Sequence, residues 1–127
     1  MTFAELVDKT VEYYSNNPRS LVLGIGVHGS ACRYAGPNGE RCAAARLCDE
    51  SVTDLEGMDS HLECEWDQVC HLATLKPEYA HFTTHQIHAL QFLHDRDSNW
   101  IDPYGKSGAV GLTGEGKKAA YRLKLHY

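Results

Sequence analysis

Three capping boxes mark where helices begin in this chain. In each, a Ser or Thr precedes a Glu or Gln by three residues, so that the two side chains can cap one helix reciprocally. The boxes are Thr2 with Glu5, Ser60 with Glu63, and Thr83 with Gln86. Apolar residues follow each box at helical spacing. The pattern predicts helices over about 3 to 15, over about 61 to 75, and from about 84 onward, with Pro18 and Pro77 ending the first two.

A strong turn signal lies between two short segments of the N-terminal half. Gly36-Pro37-Asn38-Gly39 is favourable turn chemistry because Asn and Gly tolerate positive φ, and residues 31–35 and 41–45 flank it. This arrangement predicts a β-hairpin that brings Cys32 and Cys42 to comparable heights, and residues 21–25 are a candidate strand. We therefore expect an α+β fold, a single domain over 1–127 in which the hairpin packs against three or more helices.

The C-terminal segment fits two secondary structures. Residues 105–116 contain five Gly and predict a loop. Beyond this loop, a strand would place on one face Tyr121, Leu123, Leu125 and Tyr127. A helix would place on one face Ala119, Ala120, Leu123 and Tyr127. We favour the helix.

The negative charge is concentrated in one segment. The chain has 17 acidic and 12 basic residues, and eight of the acids lie between Asp49 and Asp67 with no Lys or Arg among them. Such a face attracts basic protein surfaces and repels nucleic acid, although a solvated helix face is the usual meaning of a charge block. We expect part of it to bind a partner protein, through Asp54, Glu56, Asp59 and Glu63.

The N-terminus lacks the pattern of a signal peptide, and the most apolar run, Leu21 to Val27, is only seven residues long. We therefore expect a cytoplasmic protein that does not enter the membrane. The odd number of Cys, five, favours reduced thiols over a disulfide framework. Nucleic acid is not an expected partner, because the basic residues near the C-terminus are sparse.

Four short motifs, in order, resemble a group of small proteins encoded in tailed phages and prophages. They are Cys32-Arg33-Tyr34, Gly39-Glu40-Arg41-Cys42-Ala43, Leu55-Glu56-Gly57-Met58 and Leu90-Gln91-Phe92-Leu93-His94-Asp95. The resemblance covers about half of the chain, residues 32 to 95. It implies a phage or prophage origin and a mixed α+β fold, and it implies no particular activity.

The motif residues Cys32, Tyr34, Cys42, Gln91, His94 and Asp95 are the candidate site that this resemblance supplies. Gln91, His94 and Asp95 are spaced to share one stripe of a helix. A Cys paired with His94 would be a thiolate nucleophile, and Cys32, Cys42 and His94 could together bind zinc. Against both, the two Cys are ten residues apart, and adjacent helical residues point about 100° apart, so Asp95 is not expected to orient His94.

We weigh these chemical readings against a structural one, in which the two Cys are small buried residues and His94 is a satisfied polar group. The structural reading is preferred, and no cofactor is expected. A second histidine cluster, His81, His85 and His88, has the spacing of a metal-binding pair but is expected to be exposed helix surface.

The sequence thus contains no complete catalytic signature. The expected function is that of a small phage-encoded accessory protein that binds a host protein, with inhibition of a host process or defence system as one outcome. The alternative is a small metal- or thiol-dependent enzyme that uses Cys32, Cys42 and His94.

Overall fold

The computed structural model describes residues 1–23, 30–59, 65–101 and 111–127, and for residues 22, 23 and 30–32 it describes the backbone alone. In this part the chain forms five α-helices: α1 (Phe3–Asn16), α2 (Leu55–Asp59), α3 (Trp66–Val69), α4 (Thr84–Asp95) and α5 (Gly114–His126). Single 3-10 turns occupy Ala45–Leu47, Cys70–Leu72, Pro77–Tyr79 and Asp97–Asn99. Two strands of three residues each, β1 (Leu21–Leu23) and β2 (Ser30–Cys32), pair antiparallel.

The expected α+β class is wrong, because the described residues are predominantly helical. Helices and 3-10 turns account for more than half of them, whereas the pairing of β1 with β2 extends over only three residues of each strand. A pair this short forms no sheet layer against which helices could pack.

The predicted hairpin is also wrong, although its turn is present. Gly39 has a φ of +85°, and the amide of Gly36 donates to the carbonyl of Glu40 at 2.9 Å. Beyond the turn, however, the two arms share only an isolated bridge between Ala35 and Arg41. The first arm pairs back onto β1. The Ala-rich second arm coils into the 3-10 turn Ala45–Leu47, in keeping with the helical preference of Ala.

The first and third predicted helices are confirmed. In α1 the hydroxyl of Thr2 accepts from the amide of Glu5, and the helix buries an apolar stripe that includes Leu6, Val7 and Tyr14. In α4 the hydroxyl of Thr83 accepts from the amide of Gln86, and the helix ends at Asp95. Local capping and apolar spacing therefore suffice to locate both helices.

The second predicted helix is much shorter than expected. Its proposed cap, Ser60 with Glu63, lies outside the described residues, and α3 is instead capped reciprocally by Glu65 and Gln68. After one 3-10 turn the chain becomes extended, and Leu75 forms a bridge with Cys48. Hydrogen bonds to a distant segment thus end the helical pattern early, among them the bond from the Asp49 amide to the Thr74 carbonyl at 2.7 Å.

The C-terminal helix is present as favoured, but it begins inside the predicted Gly-rich loop. Thr113 caps α5, so that Gly114 and Gly116 are helical, while residues 105–110 of the predicted loop lie outside the described part. A Cβ at Gly116 would lie 2.1 Å from the backbone oxygen of Asn99. Glycine at this position allows α5 to approach the chain that follows α4.

The buried apolar residues of the described part form one cluster. Its contributors include the segment 42–48, where Cys42, Ala44 and Cys48 are almost completely buried. The C-terminal half of α4 lies against this segment. The contact includes a hydrogen bond from the amide of Ala44 to the side-chain oxygen of Gln91. This contact brings the motif residues on α4 close to residues 42–48, a segment that includes most of the predicted second arm of the hairpin.

Candidate functional site

His94 is the centre of a buried polar network. The side chain is fully buried, and both of its ring nitrogens are engaged. The backbone amide of Ser20 donates to Nε2 at 3.3 Å, and Nδ1 lies 2.7 Å from Oδ1 of Asp95. Because Nε2 accepts a hydrogen bond, it carries the lone pair, and the proton is assigned to Nδ1, from which it is donated to Asp95.

Gln91 extends the network to the buried segment 42–48. Its Oε1 accepts from the amide of Ala44 at 2.8 Å, and its Nε2 donates to Oδ1 of Asp95 at 2.6 Å. Asp95 therefore accepts from both Gln91 and His94. The shared stripe predicted from helical spacing is confirmed, and it satisfies a buried backbone amide.

The expectation that Asp95 would not orient His94 is wrong. The two side chains meet although adjacent helical residues point about 100° apart, with Oδ1 of Asp95 at 2.7 Å from Nδ1 of His94. Burial lowers the pKa of His94, and the Asp95 carboxylate beside it opposes this shift without overcoming it. The imidazole is consequently held neutral.

Two further residues hold the network in place, and sequence reasoning missed both. The buried Arg19 donates through Nε to the carbonyl of His94 at 2.6 Å and pairs with Asp97 at 3.1 Å. The ring of Tyr14 lies edge-on to the imidazole, with 4.7 Å between ring centroids, and its hydroxyl donates to the carbonyl of Arg41. Helical spacing places Tyr14 on the apolar face of α1, whereas the position of Arg19 directly after Pro18 carries no specific signal.

The cysteines of the described part are mostly buried. Cys42 and Cys48 are almost inaccessible, and Cys70 is partly exposed. Burial raises the pKa of Cys48 to about 12, with a smaller contribution from Cys42, so this thiol stays protonated at neutral pH. The side chain of Cys32 lies outside the described part, and its predicted proximity to Cys42 stays a prediction.

Asp59 and Tyr34 are joined by a structural contact. The carboxylate of Asp59 accepts from the amides of Tyr34 at 2.6 Å and of Ala35 at 3.0 Å. It thereby ties the end of α2 to the chain just after β2, and the Tyr34 side chain is buried. Asp59 thus holds the fold together whether or not it also contacts a partner.

The other acids of the 49–67 segment are more accessible. Five of them are exposed, namely Glu50, Asp54, Glu56, Glu65 and Asp67, and Glu63 lies outside the described residues. Asp54 accepts from the Gly57 amide at 2.8 Å and so caps α2, and Glu50 pairs with Arg41. Hydrogen bonds from Ser51 lower the pKa of Asp49, which keeps it ionised.

The three histidines of the second cluster do not converge. His81 lies beside the Met1 carbonyl, and the ring of His85 lies against that of Tyr127. His88 alone faces acids, with Nε2 at 3.1 Å from Glu65 and Nδ1 at 3.7 Å from Asp67. Together, His88, Glu65 and Asp67 could supply one nitrogen and two oxygen ligands to a cation. The same contacts are equally typical of ion pairs between exposed side chains.

Comparison with protein-family models, curated proteins and solved structures gave no match. Among the residues that the structure describes, no helix has the length and apolar character needed to span a bilayer.

Proposed function

We propose that this is a small phage-encoded accessory protein that acts in the host cytoplasm by binding a host protein, thereby inhibiting a host process or defence system. The phage origin comes from the resemblance of the four motifs. The mode of action comes from the distribution of accessible charge. The partner surface proposed here is the acidic segment, residues 49–67.

The observation that carries the proposal is the contrast between the acidic segment and the motif residues. Five acids of the segment are exposed in the described part, and no Lys or Arg lies among them in the sequence. Exposed charge of one sign accelerates association with a surface of the opposite sign. His94, Gln91 and Cys42 are buried instead, where they stabilise the fold.

Among the exposed acids, Glu56 is the most suitable residue for a test. It is exposed, and it makes no hydrogen bond or ion pair with the described residues, so its replacement removes charge without removing a structural contact. Glu12 on α1 is a matched control, because it is also exposed and its reversal changes the net charge by the same amount. Asp59 is unsuitable because it binds two backbone amides.

The experiment is affinity capture from host lysate by wild-type protein, Glu56→Lys and Glu12→Lys, followed by mass spectrometry and by association kinetics with the purified partner. We expect Glu56→Lys to slow association several-fold at low ionic strength, and high salt to reduce the difference. Glu12→Lys should behave like wild type. Equal association rates for both variants at low salt would contradict the role of the acidic segment.

The alternative, a metal- or thiol-dependent enzyme built on Cys32, Cys42 and His94, finds no supporting contact among the described residues. A nucleophile must be reachable, whereas Cys42 is fully buried, and a metal ligand must offer a lone pair, whereas Nε2 of His94 already accepts from Ser20. Metal analysis of untagged protein tests the zinc reading directly.

A further inference from the structure

A groove of about 480 Å³ lies between the end of α4 and the outer side of α5. Its walls combine apolar side chains with two arginines and one acid, among them Phe92, Arg96, Glu115, Ala119, Arg122 and Leu123. The volume falls within the usual range for small-molecule sites. None of the residues that line the groove belongs to the acidic segment.

The apolar part of the groove is unusually accessible for this helix. Phe92 is 40% exposed, whereas Leu90 and Leu93 on the same helix are buried. Across the groove, Ala119 and Leu123 of α5 are half-buried. An aromatic ring exposed in a concave surface offers apolar area that a ligand can cover, and covering it is favourable.

The charges of the groove are unevenly placed. Arg96 lies 3.6 Å from Glu115, so the charges at that end are paired. Arg122 is exposed and makes no hydrogen bond or ion pair with the described residues. It lies two helical turns, or about 10 Å, beyond Glu115, and His126 follows it one turn later on the same face. Arg122 is therefore the cation of the groove lining that is left to pair with an anion.

We propose that this groove binds an apolar molecule carrying one carboxylate. The carboxylate pairs with the guanidinium of Arg122, which can donate two parallel hydrogen bonds, and the apolar body lies on Phe92, Ala119 and Leu123. The backbone oxygen of Tyr127 accepts from Nε2 of Gln86 at 2.8 Å and accepts no hydrogen bond from Arg122. Both halves of the ligand must contribute to the binding free energy, because the apolar wall is small and Arg122 supplies only one ion pair.

The test is a calorimetric titration of the full chain with 4-phenylbutyrate and with its neutral analogue 4-phenylbutanol. We expect saturable one-to-one binding of the acid, with the alcohol bound on the order of tenfold more weakly, because only the acid forms a charge-assisted pair. Arg122→Gln should reduce binding of the acid to the level of the alcohol and leave the alcohol unaffected.

Lys117→Gln is the matched control. Lys117 is exposed on the same helix but is five residues from Arg122, which places it about 140° around the axis and outside the groove lining. This variant should bind the acid as wild type does, and both variants should keep the wild-type melting temperature. The proposal is overturned if no saturable binding of the acid is seen, if acid and alcohol bind equally, or if Arg122→Gln and Lys117→Gln give the same result.

Discussion

Acidification should destabilise this protein through one buried side chain, His94. In the unfolded chain a His titrates near pH 6.5, whereas burial lowers the pKa of His94 in the folded protein. Below pH 6.5 the unfolded state therefore binds more protons than the folded state. The stability that neutral His94 contributes is complete above the unfolded pKa, and it is lost as pH falls toward the folded pKa.

The magnitude follows from linkage and from the contacts of the ring. One group can change the free energy of unfolding by at most about 1.4 kcal/mol per pH unit, and this limit is approached only between its two pKa values. A drop from pH 6.5, where half of the unfolded chains already carry a protonated His, to pH 5.5 should thus cost at most about 1 kcal/mol. Structurally, a protonated Nε2 can no longer accept from the Ser20 amide, which would lose its partner at 3.3 Å.

The assay is urea unfolding at several pH values between 5.5 and 7.5, with His94→Gln and His85→Gln as variants. His85 is exposed, so His85→Gln is the control that removes a His without disturbing the buried network. His94→Gln should be less stable at pH 7 but should depend less steeply on pH. Should this variant be unfolded, an NMR titration of wild type decides, since the folded His94 ring should stay neutral at pH 6.5. A wild-type slope equal to that of a folded His94→Gln, or a His94 ring half-protonated at pH 6.5, would refute the reasoning.

Three further predictions concern local contacts. Asp59→Ala should lower the free energy of unfolding, measured by chemical denaturation, by about 2 kcal/mol, because two backbone amides lose a charged acceptor. Glu56→Ala should change it by less than about 0.5 kcal/mol, and similar losses for the two variants would contradict this prediction. Cys42 should be alkylated slowly in the native protein and rapidly in urea, as followed by peptide mass spectrometry, and fast native labelling would argue against its burial. Gly116→Ala should lower stability by about 2 kcal/mol because its Cβ has no room, while Gly114→Ala, with open space around it, should be close to neutral in the same thermal melts.

Local sequence determined two of the longer helices. Thr2 and Thr83 each have their capping partner three residues away, and the apolar residues that follow lie on one helical face. Both signals act within a few residues, so they operate in the same way whatever the rest of the chain does. The stripe of Gln91, His94 and Asp95 could be predicted for the same reason, because it depends only on helical geometry.

Segments with weak local preference were decided by their neighbours in space. Residues 31–35 could pair with either side, and the tertiary structure pairs β2 with β1 while the Ala-rich segment after Cys42 coils into the core. Likewise the helical pattern up to Leu75 yields to hydrogen bonds from the chain around Asp49. Intrinsic propensities differ by less than about 1 kcal/mol per residue, so a few long-range hydrogen bonds can override them.

In the polar network, local sequence determined one part of the arrangement and tertiary packing determined the other. Sequence placed Gln91, His94 and Asp95 on one stripe, but it gave no means to pair His94 with Ser20, which lies 74 residues away. Only packing of the segment after α1 against α4 brings these two together. That packing removes His94 from water, and burial without water is what forces each polar atom of the ring to find a partner and holds the ring neutral.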